Sequence, residues 1–120
     1  MSGVEAIPRR AARVRFDATG PGRFRVEGEL SFATAAAALA RSRSLFRDHA
    51  VIELDLSGVT RGDSAGLALL LEWVTWARAN ARELQFHHLP EQLLAIAQIS
   101  EVDDMLRRAE RWDGAEVAPD

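Results

Sequence analysis

The chain has 120 residues and a net charge of −3, and 48% of its residues are apolar. This length is typical of one domain, and the apolar content is enough to bury a core. The absence of cysteine excludes disulfide bonds and cysteine-based zinc or redox chemistry. The 15 basic residues, all arginine, are scattered among acidic residues, which argues against nucleic acid as a partner.

The two ends have mixed or polar composition and are predicted to be flexible tails, at residues 1–10 and 113–120. One folded domain is predicted between them, over residues 11–112. The N-terminus lacks the apolar stretch of a signal peptide, and no apolar run approaches the roughly 20 residues that span a bilayer. These features predict a cytoplasmic protein that does not insert into a membrane and reaches one only through a partner.

Two short segments near the N-terminus alternate between apolar and polar residues, as half-buried strands do. They are Arg13–Ala18 and Phe24–Leu30, and the turn residues Thr19–Gly22 lie between them, so we expect a β-hairpin. The alanine-rich segment Phe32–Phe46 follows and predicts a helix capped by Ser31. Its apolar positions at helical spacing are Phe32, Ala36, Leu39 and Phe46.

The second half of the chain alternates strands with helices. Val51–Leu56 predicts a strand covered on both faces, followed by a turn at Ser57–Gly62 and a helix over Ser64–Asn80. A strand at Leu84–His88 and two further helices complete the domain; the third helix begins at Leu89–Glu91 and the fourth lies within Glu101–Arg111. The order β-β-α-β-α-β-α-α predicts an α/β domain, with a small mixed sheet flanked by about four helices.

The segment between the strand and the long helix carries the sharpest functional signal. Asp63 is placed to cap the helix, and Ser64 lies in its first turn, where free backbone N–H groups and the positive helix dipole favour a phosphate or an acidic group. Ala65 separates Ser64 from Gly66. A glycine inside a helix costs about 1 kcal/mol relative to alanine, so Gly66 suggests close approach of another backbone. The alternative is a plain structural cap.

The long helix carries two apolar stripes. Leu67, Leu70, Leu71, Val74 and Ala77 form the stripe expected to face the core. Leu69, Trp73 and Trp76 form the second stripe. It is either covered by another helix of the domain or exposed for a partner, and the enrichment of aromatic residues at interfaces favours the second interpretation.

Catalytic chemistry lacks its usual residue patterns. Ser64 is not part of a glycine-x-serine-x-glycine elbow, and neither a metal-binding spacing nor a phosphate-binding glycine loop is present. His87 and His88 are adjacent on a predicted strand and therefore point to opposite faces. We expect no enzymatic activity, no metal and no cofactor; hydrolysis by Ser64 is the minor alternative.

The segments Val51-Ile-Glu-Leu-Asp-Leu-Ser57 and Asp63-Ser-Ala-Gly-Leu67 resemble the STAS domain, the fold of the anti-sigma-factor antagonists. The resemblance covers about residues 24–106. Gly66-Leu-Ala-Leu-Leu-Leu71 and Leu93-Leu-Ala-Ile-Ala97 look most like the MlaB-like cytoplasmic STAS subunit of the Mla phospholipid ABC transporter. The resemblance implies a subunit that binds the transporter ATPase, and through it the permease, and that helps to maintain outer-membrane lipid asymmetry.

Carried over to this chain, the resemblance makes Ser64 the regulatory hydroxyl, with Asp63 and Gly66 shaping its loop and with Trp73 and Trp76 near the ATPase. The transporter subunit commonly has threonine at the position of Ser64, whereas the anti-sigma-factor antagonists favour serine. The sequence after Gly66 favours the transporter. The alternative is an antagonist that a kinase-type anti-sigma factor phosphorylates on Ser64.

Overall fold

The structure is a computed structural model that describes residues 12–111, and both predicted tails, at 1–10 and 113–120, lie outside these residues. The elements are β1 Val14–Gly20, β2 Arg23–Leu30, α1 Ala35–Phe46, β3 Val51–Gly62, α2 Ser64–Ala79, β4 Glu83–His87, α3 Glu91–Ile99 and α4 Asp103–Arg111. The predicted order and the α/β class are confirmed. Within residues 12–111, no helix is long and apolar enough to cross a lipid bilayer.

The four strands form one mixed sheet in the order β1-β2-β3-β4. β1 and β2 are an antiparallel hairpin, and β2, β3 and β4 are parallel. The hairpin turn needs Gly22, whose φ of +72° is left-handed and whose missing side chain leaves room for the carbonyl of Val51. The parallel strands place the β2–α1 and β3–α2 connections at the same edge of the sheet, because both follow the carboxyl end of a strand.

Only one face of the sheet is covered by helices. Alternate side chains on β2, β3 and β4 are buried there, namely Phe24, Val26, Ile52, Leu54, Leu56, Leu84 and Phe86. The other face carries ion pairs, such as Arg25 Nε to Glu27 at 2.9 Å and His87 Nε2 to Glu53 at 3.0 Å. The prediction that β3 is covered on both faces is therefore wrong, since Glu53 and Asp55 alternate with its buried residues.

β3 is twice as long as the predicted strand. It runs through Ser57–Gly62, where the sequence predicts a turn, and pairs with β2 as far as Leu30 opposite Gly62. The pairing register shifts twice along this stretch, between Arg25 and Glu27 and between Gly28 and Glu29 of β2. At each shift β3 contains one residue more than β2, as in a β-bulge. Pairing with a neighbouring strand overrides the turn propensity of this segment, and it brings the end of β3 directly to the end of β2.

The start of α1 also differs from the prediction. The helix begins at Ala35, three residues after Phe32, and its N-cap position is Thr34 rather than Ser31. Phe32 lies in the turn before the helix with 87% of its surface exposed, although the helical pattern predicts it on the buried face. The buried residues of α1 are Ala38, Ser42 and Phe46.

Candidate partner-binding site

Asp63 joins the start of α2 to the turn that precedes α1. Its Oδ1 accepts hydrogen bonds from the backbone N–H groups of Ala65 (2.9 Å) and Gly66 (3.1 Å), which makes it the predicted N-cap. Its Oδ2 accepts from the N–H of Phe32 at 3.1 Å. These N–H donors, that of Phe32 first, hold the pKa of the Asp63 carboxyl below its usual value, so the side chain is ionised at neutral pH.

Gly66 allows the backbones of α2 and β2 to touch. A Cβ atom at this position would overlap the carbonyl oxygen of Leu30, the last residue of β2. The same carbonyl accepts a hydrogen bond from the N–H of Asp63 at 3.3 Å. The close backbone approach inferred from Gly66 is confirmed, and it explains a glycine in a position where helix propensity disfavours one.

The β2–α1 turn is held by its own side chains. Thr34 Oγ1 donates to the carbonyl of Glu29 at 2.8 Å and accepts from the N–H of Ser31 at 3.0 Å. Ser31 Oγ donates to Glu29 Oε2 at 2.8 Å. With Asp63 holding the N–H of Phe32, the turn is fixed on both sides. Phe32 is therefore an exposed aromatic side chain on a well-braced backbone.

Ser64, the first residue of α2, is exposed to solvent beside this turn. The expectation of free backbone N–H groups at this helix start is wrong for Ala65 and Gly66, because the Asp63 carboxylate already accepts both. A phosphate on Ser64 would thus meet an ionised carboxylate and compete with it for the same donors. Such a phosphate is repelled locally, and it adds negative charge to the surface.

The predicted aromatic surface of α2 is wrong for Leu69 and Trp73. Both are buried, and Trp73 is 1% exposed. Its indole Nε1–H donates to Ser42 Oγ of α1 at 2.9 Å, and its ring packs edge-on against Phe16 and Phe46 at centroid distances of 5.9 and 5.8 Å. Residues of α1 and β1 therefore cover Trp73, and the hydrogen bond of its N–H makes burial of the indole favourable.

Trp76 is half-buried at the edge of the same cluster. Its ring lies 6.0 Å from that of Phe46, and the guanidinium carbon of Arg82 lies 5.8 Å from its ring centroid. Since α2 rises about 1.5 Å per residue, Trp76 is roughly 18 Å along the helix from Ser64. The predicted site residues therefore divide: Asp63, Ser64, Ala65 and Gly66 lie together, Leu69 and Trp73 belong to the core, and Trp76 stands apart.

Sequence reasoning missed two residues that shape this region. Ser42 lies at helical spacing between Ala38 and Phe46, on the buried face of α1. A polar side chain on a buried face indicates a hydrogen-bond partner on the element that packs against it. Phe32 follows Ser31 and precedes Thr34, and two hydroxyl residues just before an alanine run favour a capping turn at this point. That signal would have placed Phe32 outside the helix.

Other polar side chains of the described residues form pairs on the open face of the sheet. His88 Nδ1 lies 3.0 Å from Asp55 Oδ1. The pKa of Asp55 is lowered to about 2, chiefly by the N–H of Ser57 and also by His88. Among residues 12–111, no three histidine, aspartate or glutamate side chains come together as a metal site would require.

Comparison with known proteins agrees with this architecture. The family model described as "Mlab, STAS domain" matches residues 14–107. No curated protein sequence matches the chain significantly. The solved structure of the anti-sigma factor antagonist SpoIIAA in its unphosphorylated form is similar in fold, with a TM-score of 0.60 and 15% identity over 78% of this chain and 84% of that one. A crystal structure of Mglu matches with a TM-score of 0.51 and 25% identity, over 68% of this chain and 20% of that one.

Proposed function

Since the chain belongs to the STAS domain family of the Mlab type, we propose that it is the non-catalytic STAS subunit of a phospholipid ABC transporter. In this proposal it binds the ATPase subunit and, through it, the permease. It supports assembly and activity of the complex and so helps to maintain outer-membrane lipid asymmetry. It acts in the cytoplasm, at the inner-membrane face, without inserting into the bilayer or using a cofactor.

The observation that carries the proposal is the family match, which extends over almost the whole described domain. The site supports a binding role because its exposed groups are suited to contact rather than to chemistry. Asp63, the carboxylate next to Ser64 in the chain, already accepts three backbone N–H donors, which lower its pKa and make it a weak base for the Ser64 hydroxyl. A surface built on rigid backbone contacts suits docking to a protein.

A tagged copy of the chain, purified from detergent-solubilised native membranes, tests the proposal. We expect mass spectrometry to identify an ABC ATPase together with its permease, and we expect the ATPase rate of the purified transporter to fall when this subunit is left out. An untagged strain processed in parallel is the control. Recovery of a soluble kinase-type anti-sigma factor without any ATPase would contradict the proposal.

The alternative function is an anti-sigma-factor antagonist that is regulated by phosphorylation of Ser64. The specific observation in its favour is that Ser64 is exposed in a fold similar to that of SpoIIAA. A phosphate would add about −1.5 to −2 charges next to the Asp63 carboxylate. Incubation with ATP and the recovered partner, followed by mass spectrometry of the intact chain, discriminates between the two functions. Only the antagonist gains a phosphate that the Ser64→Ala variant cannot accept.

A further inference from the structure

β1 is an edge strand of the sheet, and among residues 12–111 no strand pairs with its outer edge. The hydrogen bond from Glu29 N–H to the carbonyl of Arg13, at 2.8 Å, shows which β1 residues bond to β2. Bonded residues alternate along an antiparallel pair, so Arg15 and Asp17 also direct their backbone groups to β2. The residues whose N–H and C=O groups point outward are Val14, Phe16 and Ala18.

The outer edge of β1 carries charges of both signs. Charged side chains protect an open strand edge, because a second strand with the same charge opposite is repelled. In β1, Arg15 and Asp17 lie two residues apart on the open face of the sheet, with side chains 68% and 44% exposed. Opposite charges at this spacing complement a copy of the same strand when the copy runs antiparallel. The charges of β1 are therefore matched to a second β1.

We propose that two copies of this chain associate through their β1 strands, which run antiparallel with Phe16 of one copy opposite Phe16 of the other. In this register the outward-facing residues of the two strands meet, since Val14 of each copy lies opposite Ala18 of the other. Every outward N–H and C=O group of the three residues then has a hydrogen-bond partner. The two sheets become one continuous sheet.

The charged side chains select this register. With Phe16 at the centre, Arg15 of each copy lies opposite Asp17 of the other, so opposite charges face each other twice on the open face. A shift of two residues in one direction would place Arg15 opposite Arg15, and in the other direction Asp17 opposite Asp17. Within a single chain Arg15 already contacts Asp17 and Glu27, and its guanidinium has further N–H donors for a carboxylate of the second copy.

The helix-covered side of the sheet is compatible with the same contact. Val14, Phe16 and Ala18 place apolar side chains on that side of the β1 edge. Ala37 and Arg41 of α1 line a surface groove together with Val14 and Phe16. The short side chain of Ala37 leaves room for α1 of the second copy, and the exposed Arg41 is long enough to turn its guanidinium into solvent. The helices therefore need not hold the two strands apart.

The symmetry of this dimer fixes where its two candidate sites lie. Residues opposite each other in an antiparallel pair have side chains on the same face, so the twofold axis is perpendicular to the sheet. The Asp63–Gly66 sites of the two copies then lie at opposite ends of the joined sheet and face away from each other. The dimer can therefore bridge two partner molecules, which goes beyond the proposed function of a single subunit.

Sedimentation equilibrium of the full chain tests the association, over a series of concentrations that reaches the millimolar range. A contact along one strand edge is small, so we expect a reversible dimer rather than a permanent one. The average mass should rise with concentration from 13.2 kDa toward twice that value. A parent chain that stays at 13.2 kDa throughout the series would overturn the proposal.

Two charge variants test the register. Arg15→Asp and Asp17→Arg each place like charges opposite each other in a dimer of identical chains, so the dimer Kd should rise about 10-fold or more in each. In an equimolar mixture, positions 15 and 17 are both acidic in one chain and both basic in the other. Opposite charges then face each other again, and the mixture should associate as the parent does.

Gln85→Arg, on the opposite edge strand β4, is the control and should dimerise with the parental Kd. Thermal melts followed by circular dichroism check that each variant is folded. Parental association of either single variant, or a mixture that does not associate, would overturn the proposed register. Loss of the dimer in Gln85→Arg would assign the contact to β4 and overturn the role of β1. None of these outcomes bears on the proposed function, which rests on the family match.

Discussion

The β2–α1 turn and the third turn of α2 present their aromatic residues in opposite ways. Phe32 lies in the turn and is 87% exposed, whereas Trp73 lies on a helix and is 1% exposed. The helical pattern predicts the reverse for both residues. An aromatic side chain is thus buried where a neighbouring element can cover it and satisfy its polar atoms. Trp73 has Ser42 of α1 as a partner for its N–H, whereas Phe32 lies in the turn before α1 and outside the helical pattern.

The largest effect is expected from Trp73→Ala. Removing a buried indole from the cluster with Phe16 and Phe46 should lower the free energy of unfolding by about 3–5 kcal/mol, measured by urea denaturation. Trp73→Phe is the matched control, since it keeps an aromatic ring and loses only the N–H bond to Ser42, and it should cost less. An unchanged denaturation midpoint in Trp73→Ala would mean that the third turn of α2 is not core.

The next effect tests the backbone contact beneath the exposed surface. Gly66→Ala should destabilise the fold by about 1–3 kcal/mol, because the added Cβ overlaps the carbonyl of Leu30 and forces the backbones apart. In an exposed helix, the same substitution stabilises by about 1 kcal/mol. The sign of the change in melting temperature is therefore diagnostic, and an increase would contradict the close approach of α2 and β2.

A smaller effect, with a defined pH dependence, is expected from Asp63→Asn. The free energy of unfolding of the variant should be lower by about 1 kcal/mol at neutral pH, because the hydrogen bond from Phe32 N–H is lost. The pKa of Asp63 is lower in the folded chain than the ordinary 3.8, so its contribution is complete above that pH and is lost as the pH falls through the folded-state pKa.

Urea denaturation of the parent and Asp63→Asn at a series of pH values from neutral to acidic checks this dependence. The difference in unfolding free energy between the two proteins should shrink as the pH falls below about 4. A difference that stays constant through this range would indicate that the Asp63 carboxylate is not the group that holds the turn.

The smallest effect on stability is expected at Ser64. Because its side chain is exposed, Ser64→Ala should change the free energy of unfolding by less than about 0.5 kcal/mol. Ser64→Asp should fold equally well and yet bind the partner more weakly, since it adds a second negative charge next to the ionised Asp63 in the candidate site. Calorimetric titration of Ser64→Ala and Ser64→Asp with the partner separates the effect of the added charge from the effect of losing the hydroxyl. If both variants bound the partner with the affinity of the parent, Ser64 would not be part of the interface.

The sequence was sufficient for the order of the elements, the core stripe of α2 and the capping of that helix by Asp63. These features follow from local patterns, such as the period of apolar residues and the position of an acidic residue one step before a helix. It was also sufficient to single out Gly66, because a glycine inside a helix is unfavourable unless another chain segment comes close. Each of these inferences depends on residues near one another in the chain.

Which of the apolar side chains are buried and which are exposed depends on contacts between segments that are distant in the chain. The extension of β3 past Leu56 depended on pairing with β2. The burial of Trp73 depended on Ser42, which is 31 residues away and accepts the hydrogen bond of its N–H. The position of the β2–α1 turn next to the start of α2 depended on the hydrogen bond from Phe32 N–H to Asp63, across the same separation of 31 residues. Periodicity reports how often a side chain turns toward one side of an element. Which neighbour lies on that side is set by long-range packing, which no local pattern contains.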